Sequence, residues 1–510
     1  MKSTAKKDIF LWYFILLIII FLPLRLWNIR QPINLLTEFR QAQTATVALN
    51  YYHNGIDLLR SELDFFGKGP EKYLTLEFPL YEAIVAIFYK IFWVQDYWGK
   101  IISVLAGFIG AYYLYRLVYL VFRSRKLAFL TCFFYLSFPI NMYHQKDFLI
   151  ENTVICFLIA GLFYFVNWFY DKKSINLLYG SILLSLGFIQ KIMYGPFLLL
   201  PIIWLQWKKN KLWSKSGLLI TALLFPFLVF GLWQNHVDRI NTSYGHEYFT
   251  STNKAQILWN IGTFSDRLSI PMWDFRLKNL LNGIFLKPGI PIFIIGLIVS
   301  FFIKEKGFVL IWFLAEVIYY LTFFKIQSHI YYEMVITPVI AIIMAIGILY
   351  IGKGIVRLLH RLKKTEKQDY LIAPIFISLF CSIFLWRTWM SSQWNSQVDY
   401  QWLNRIKLVG KSVPINSTGI FISPGYDWNS VYTYIPKLKL KLVTVDNVNE
   451  IEIKKWIKDG YSYIILHDYR EYDAYLKDKG EKFDQSVLKN FNKILDLEDF
   501  QVYLVGELNK

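Results

Sequence analysis

Residues 9–24 read IFLWYFILLIIIFLPL, a nearly uninterrupted apolar run directly behind MKSTAKKD. Similar runs recur through residue 388. Segments near the roughly 20 residues that a bilayer crossing requires lie at about 9–28, 98–122, 127–143, 148–170, 175–190, 193–206, 216–234, 286–303, 307–324, 333–352 and 370–388. They predict an α-helical polytopic membrane protein with about eleven transmembrane helices. A secretory signal is the poorer reading of the first block, because no small-residue cleavage site follows it and further spans do.

The whole chain of 510 residues agrees: 55% of it is hydrophobic and 19% aromatic, against about 45–50% apolar residues in soluble domains. A disordered chain or a nucleic-acid scaffold is excluded. The three cysteines, Cys132, Cys156 and Cys381, all fall inside apolar runs, so neither a disulfide framework nor a thiolate metal site is expected.

Lys and Arg set the orientation. With the N-terminus in the cytoplasm, the cytoplasmic segments are 1–8, 123–126, 171–174, 207–215, 304–306 and 353–369, and they hold 20 Lys and Arg. The short opposite turns, 144–147, 191–192 and 325–332, hold one each. Basic residues are retained on the cytoplasmic side, so the N-terminus is expected inside. An odd number of spans then places residues 389–510 outside the cytoplasmic membrane. Of the formal charge of +18, those cytoplasmic segments carry +15. The charge is therefore an orientation signal, and no nucleic-acid partner is expected.

One apolar stretch breaks the pattern. Counting PLYEAIVAIFYKIFWV (79–94) as a span would put RSRK (123–126) outside, so it is read as an interfacial helix with Glu82, Tyr89 and Lys90 on one side. A twelfth span with an inward C-terminus is the alternative. The organisation is then a membrane domain, 1–388, whose first outer loop is 29–97 and holds interfacial helices, and a small soluble α/β domain, 389–510. In that domain strands are expected at 419–424, 440–445, 461–467 and 501–508, with helices near 396–411, 449–458 and 484–495.

Under this topology the unusual polar residues gather at the outer face. TEFRQAQTATVALNYYHNG (37–55) and LEFPLYEA (76–83) lie in the first outer loop, HQKDFLIEN (144–152) in the second, QKIMYG (190–195) in the third and KIQSHIYYEM (325–334) in the fifth. Glu38, Arg40, Glu77, Asp147, Lys191, His329, Tyr331 and Tyr332 are the candidate site residues. All but Glu77 also have a structural reading: solvated anchors for Glu38 and Arg40, a helix N-terminus for Asp147, snorkelling for Lys191 and interfacial aromatics for His329, Tyr331 and Tyr332. Asp147 and Glu151 share a face if the fourth helix starts there. Glu316, in the middle of the ninth span, needs a partner, and Arg116 is the expected one.

Together these segments resemble the C-type superfamily of integral-membrane glycosyltransferases, in the bacterial branch related to protein O-mannosyltransferases and lipid A aminoarabinose transferase. The resemblance rests on the order of weak pieces. They are an acid just past the first span, the Pro-Leu-Tyr interfacial helix, Asp147, Lys191 between spans five and six, the H-x-Y-Y-x5-P pattern of His329 to Pro338, and the trailing α/β domain. It implies a polyprenyl-phosphate sugar donor, with a glycolipid, polymer or protein acceptor and membrane lipids as the other partners. No G-x-G-x-x-G and no P-loop occurs, so a sugar-nucleotide donor has no motif here.

The resemblance also implies roles. Glu38 would take the acceptor's proton, and Asp147 would support an oxocarbenium-like transition state or position the acceptor. Arg40, Lys191, Tyr331, Tyr332 and His329 would meet charge growing on the lipid phosphate. A single displacement implies inversion. Two departures matter: Thr37 stands where many relatives pair a second acid with Glu38, and Glu77-Phe78-Pro79 replaces a Lys-Pro-Pro. A carboxylate binds phosphate only through a cation, so Glu77 would hold a divalent metal, the one cofactor suggested, or contact the acceptor. The competing function is a transporter or flippase of a lipid-linked sugar, which would show broken helices and inverted halves.

Overall fold

The computed structural model describes residues 4–33, 39–63, 73–208, 216–363, 369–394, 400–414, 417–424, 434–435, 437–445, 448–472, 476 and 485–505. In chain order the helices are Thr4–Leu26 (α1), Phe39–Asn54 (α2), Leu80–Phe92 (α3), Tyr97–Phe122 (α4), Arg125–Ser137 (α5), Pro139–His144 (α6), Glu151–Asp171 (α7), Ser174–Lys191 (α8), Leu199–Lys208 (α9), Ser216–Ser243 (α10), Lys254–Ile261 (α11), Phe264–Leu268 (α12), Ile270–Leu280 (α13), Leu286–Ser300 (α14), Lys306–Thr322 (α15), Thr337–Lys363 (α16), Asp369–Trp394 (α17) and Tyr400–Ser412 (α18). A small sheet follows, with strands Thr418–Ser423 (β1), Lys439–Thr444 (β2), Tyr463–His467 (β3), Asn492–Asp496 (β4) and Phe500–Leu504 (β5), and helix Glu450–Lys458 (α19) after β2.

All eleven expected apolar segments are helical. Seven stretches are long and apolar enough to cross a membrane: Tyr97–Phe122, Glu151–Asp171, Ser174–Tyr194, Gly217–Ser243, Ile270–Ser300, Ile330–Leu358 and Leu371–Ser391. The other four segments are shorter or broken. Pro139 divides 127–143 into α5 and α6, because a proline ring clashes with the carbonyl four residues earlier. Pro196 opens a 3-10 turn ahead of α9, α15 has 17 residues, and the apolar part of α1 is Trp12–Leu26.

Two compact units emerge: residues 1–30, 99–236 and 251–397, and residues 31–98, 237–250 and 398–510. In the first, the first half of α16 is apolar all round and buried along Val339–Ile346, as befits a central helix. It packs on α14 at backbone contact. A Cβ on Gly296 would fall 2.0 Å from the Ile343 carbonyl oxygen, and one on Gly347 would fall 2.1 Å from that of Ile292. Helices α10 and α17 instead expose Leu224, Leu228, Leu232, Leu371, Ile375 and Leu379, the surface a lipid-facing helix presents.

In the second unit α3 is 13 residues long, about 20 Å at 1.5 Å per residue and too short to span. Its polar side points inward: Glu82 and Tyr89 are buried while Lys90, Ile87 and Ile91 are exposed. The expected shared polar side of Glu82, Tyr89 and Lys90 is thus split, and the free face is mainly apolar, as an in-plane helix requires. Val47 and Tyr51 of α2 pack with Ala83 and Ala86 of α3. Asn241, the start of an Asn-Thr-Ser sequon, is buried and clips the Thr75 backbone, donating to its carbonyl at 2.8 Å and accepting from its N–H at 3.0 Å.

The sheet order is β2-β1-β3-β5-β4, parallel from β2 through β3 and antiparallel through β5 and β4. Strand alternation sends Ile420, Ile422, Ile464 and Leu466 toward Ile453 and Trp456 of α19, and Phe421 and Ile465 toward Ile406 and Val409 of α18. The helix expected at 484–495 is replaced by a 3-10 turn, Gln485–Leu488, and the edge strand β4. Pairing with β5 overrides the local helical pattern there.

Candidate active site

The α7–α8 hairpin builds the site. Lys172, left-handed with φ 60°, ends α7 so that α8 returns antiparallel beside it. Gly161 lies on the seam, where a Cβ would meet Leu184 Cδ2 at 2.8 Å. Small residues of this kind let membrane helices approach closely. The start of α7 therefore meets the end of α8, and Glu151 forms a buried ion pair with Lys191. Lys191 is 4% exposed and Glu151 not at all.

Three tyrosine rings surround the ammonium. Lys191 Nζ stands 4.3 Å from the ring centre of Tyr332, 5.4 Å from Tyr331 and 5.7 Å from Tyr194, within cation–π range. The 3-10 segment Ile330–Ile336 supplies the first two rings, and a 3-10 turn directly after α8 supplies Tyr194. His329 stacks on Tyr331 with ring centres 5.8 Å apart. Tyr331 also meets His144 edge-on at 6.1 Å, and His144 Nδ1 lies 2.8 Å from Asp147 Oδ2. Asp147, Lys191, His329, Tyr331 and Tyr332, widely separated in sequence, thus form one cluster.

Three buried polar atoms here have no hydrogen-bond partner among the described residues: Glu151 Oε2, Asn152 Oδ1 and Tyr194 Oη. Lys146, partly buried in the same turn, has its pKa pulled below the usual lysine value by burial, against the pull of Asp147.

Two sequence expectations fail. Asp147 and Glu151 do not share a helix face, because α7 begins only at Glu151 and Asp147 reaches back to His144. Glu316 does not pair with Arg116. It accepts from Trp312 Nε1 at 3.0 Å, while Arg116 donates to Tyr112 Oη at 2.8 Å and covers Phe163. Each finds its partner one turn away on its own helix. The cluster also contains Glu151, His144 and Tyr194, which were not among the candidate site residues read from the sequence. A His-x-x-Asp spacing and a Lys-x-x-Tyr spacing were the available signals for the last two.

In the second unit Arg40, from α2, and Glu77, just ahead of α3, form an ion pair, and Arg40 Nη1 donates to Gln43 at 2.9 Å. They line a small open cleft with Thr44, Ser61 and Glu82. Glu38 lies outside the described residues. Among the described residues no three His, Cys, Asp or Glu side chains gather as a metal site, and Glu77 faces a guanidinium.

Residues 77–233 match the family model of dolichyl-phosphate-mannose-protein mannosyltransferase. No curated protein matches the sequence significantly. Among solved structures the chain is similar to ArnT from Cupriavidus metallidurans bound to undecaprenyl phosphate, with 11% identity, a TM-score of 0.64 and 98% of each chain covered. It is also similar to the archaeal oligosaccharyltransferase AglB from Archaeoglobus fulgidus in complex with an inhibitory peptide and a dolichol-phosphate, at 12% identity and TM-score 0.58 over 96% of this chain and 73% of that one. The arabinofuranosyltransferase AftD from Mycobacteria shares 9% identity at TM-score 0.53, over 97% of this chain and 40% of the other. The resemblance drawn from the residues therefore agrees with both a family-model match and the architecture: this chain carries the fold of the C-type integral-membrane glycosyltransferases, in the form shared with ArnT.

Proposed function

We propose that the chain transfers a glycosyl group from a polyprenyl-phosphate donor to an acceptor at the outer face of the cytoplasmic membrane, with residues 389–510 on that side. The carrying observation is the buried Lys191 held among three tyrosine rings beside the His144–Asp147 pair. It is a fixed positive charge next to hydroxyl donors, which is what a phosphate leaving group needs as negative charge grows on it. In the reaction the bond between anomeric carbon and phosphate oxygen breaks, and its electron pair leaves with the lipid phosphate. The acceptor oxygen bonds to the anomeric carbon and surrenders its proton to a carboxylate, for which Glu38 is the candidate. Asp147, oriented by His144, lies ready to stabilise positive charge on the sugar or to position the acceptor. A glycolipid, a polymer and a protein hydroxyl all satisfy this chemistry as acceptors.

The test is transfer by purified protein in liposomes supplied with labelled undecaprenyl-phosphate sugars and envelope fractions. Label entering one fraction with stoichiometric release of undecaprenyl phosphate supports the proposal. Absence of release from every such donor overturns it. Inversion at the anomeric carbon is expected, and a retained configuration overturns the single displacement.

A further inference from the structure

The ammonium of Lys191 is already engaged. Glu151 Oε1 holds Lys191 Nζ in a pair that is almost entirely buried, so a lipid phosphate arriving at Lys191 meets a carboxylate already in place. Two anions cannot share one buried cation without strong repulsion in a low-dielectric site. One of them must withdraw.

We propose that Glu151 is the resident counter-ion of the lipid-phosphate subsite: it holds Lys191 between the tyrosine rings while the site is empty and is displaced by the phosphate of the polyprenyl carrier. This inference rests on the proposed reaction. The geometry makes the exchange workable in both directions. Glu151 is the first residue of α7, where the helix macrodipole favours a negative charge, so the carboxylate keeps a stabilising partner after it releases Lys191. Its Oε2 has no hydrogen-bond partner among the described residues, so a single contact, the one to Lys191, is what must break. Tyr194 Oη is similarly unpartnered among them, and its ring lies 5.7 Å from Lys191 Nζ. It supplies a hydroxyl donor to the incoming phosphate. When transfer is complete, Glu151 competes with the spent lipid phosphate for Lys191 and so favours its release. Glu151 is thus a positioning residue that acts through Lys191.

The experiment measures binding of undecaprenyl phosphate alone to the full-length protein in nanodiscs. Glu151→Gln leaves Lys191 without its counter-ion, and at least tenfold tighter binding is expected; a purely structural Glu151 would give weaker binding. Lys191→Met is expected to bind at least tenfold more weakly than wild type, and Lys191→Met with Glu151→Gln to match Lys191→Met. Glu151→Asp, whose shorter side chain reaches Lys191 poorly, gives intermediate tightening and serves if the glutamine variant does not fold. Wild-type or weaker affinity in Glu151→Gln, or in Glu151→Asp in its place, overturns the inference alone. Tightening that persists in the double variant also overturns it, since Glu151 would then not act through Lys191. Failure of the wild-type protein to bind undecaprenyl phosphate overturns the proposed donor class and this inference with it.

Discussion

Replacing Lys191 with Met separates its pairing with Glu151 from the role proposed for it at the lipid phosphate. Glu151 is fully buried and Lys191 is 4% exposed, so removing the ammonium strands a carboxylate in the interior. Breaking such a pair from one side costs about 3–5 kcal/mol, and a marked fall in thermal stability is expected in detergent. Activity should fall for a different reason. Loss of one fixed group aimed at developing charge costs about 2.7–4 kcal/mol in the transition state, or 10²–10³ in rate. The double variant Lys191→Met, Glu151→Gln tells the effects apart, because it removes both charges and leaves no stranded ion. Its unfolding temperature should return near the wild-type value while label transfer from undecaprenyl-phosphate sugars stays down by about 10²–10³. The two assays use one preparation of each variant. Transfer that recovers together with stability would refute the reasoning, because Lys191 would then serve only to neutralise Glu151.

Gly296→Val should prevent close packing of α14 on α16, since even a Cβ would sit 2.0 Å from the Ile343 carbonyl oxygen; overpacking costs about 1–3 kcal/mol or more, read as loss of monodisperse protein after extraction. Tyr434→Phe removes the 2.6 Å bond from Tyr434 Oη to Asp96, worth about 1.5–3 kcal/mol to a charged acceptor, and faster hydrogen exchange around residues 93–97 should report it. His467, buried between Phe421 and Phe500, has its pKa pushed down to about 3 by burial. The folded sheet therefore refuses a proton that the unfolded chain accepts below its ordinary value near 6.5. Its contribution is constant above that pH and is lost below it by about 1.4 kcal/mol per unit, down to about pH 3. Amide protection in β3 should decline accordingly between pH 7 and 5, and His467→Leu should abolish the slope.

The fold was legible because a bilayer imposes length and apolarity on each crossing, and neither depends on what the helix packs against. Every expected apolar segment is helical for that reason. Where composition stops deciding, the errors begin. Phe491, Ile494 and Leu495 fit a helix as well as a strand, and only β5, pairing Leu495 with Val502, selects the strand. The inward side of α3 had the same cause: Glu82 and Lys90 look alike on a helical wheel, and the neighbours in α2 decide which of them is buried.

The site was legible by residue type but not by partnership. Lys191, Tyr331 and Tyr332 stand out because charges and paired aromatics are rare between apolar runs. Glu151 does not, since a lone acid at a helix start has an ordinary reading. Which charges meet is fixed by the register of antiparallel helices, a quantity that no single segment encodes. Here the close approach at Gly161 sets that register. A slip of α8 by one turn, about 5.4 Å, would move Lys191 away from Glu151 and leave two buried ions unpaired, at about 3–5 kcal/mol for breaking such a pair. The ion pair therefore opposes the slip that would destroy it. One pair both locks the α7–α8 register and holds the cation where the tyrosine rings can reach it, so the site's electrostatics and the helix packing are the same constraint.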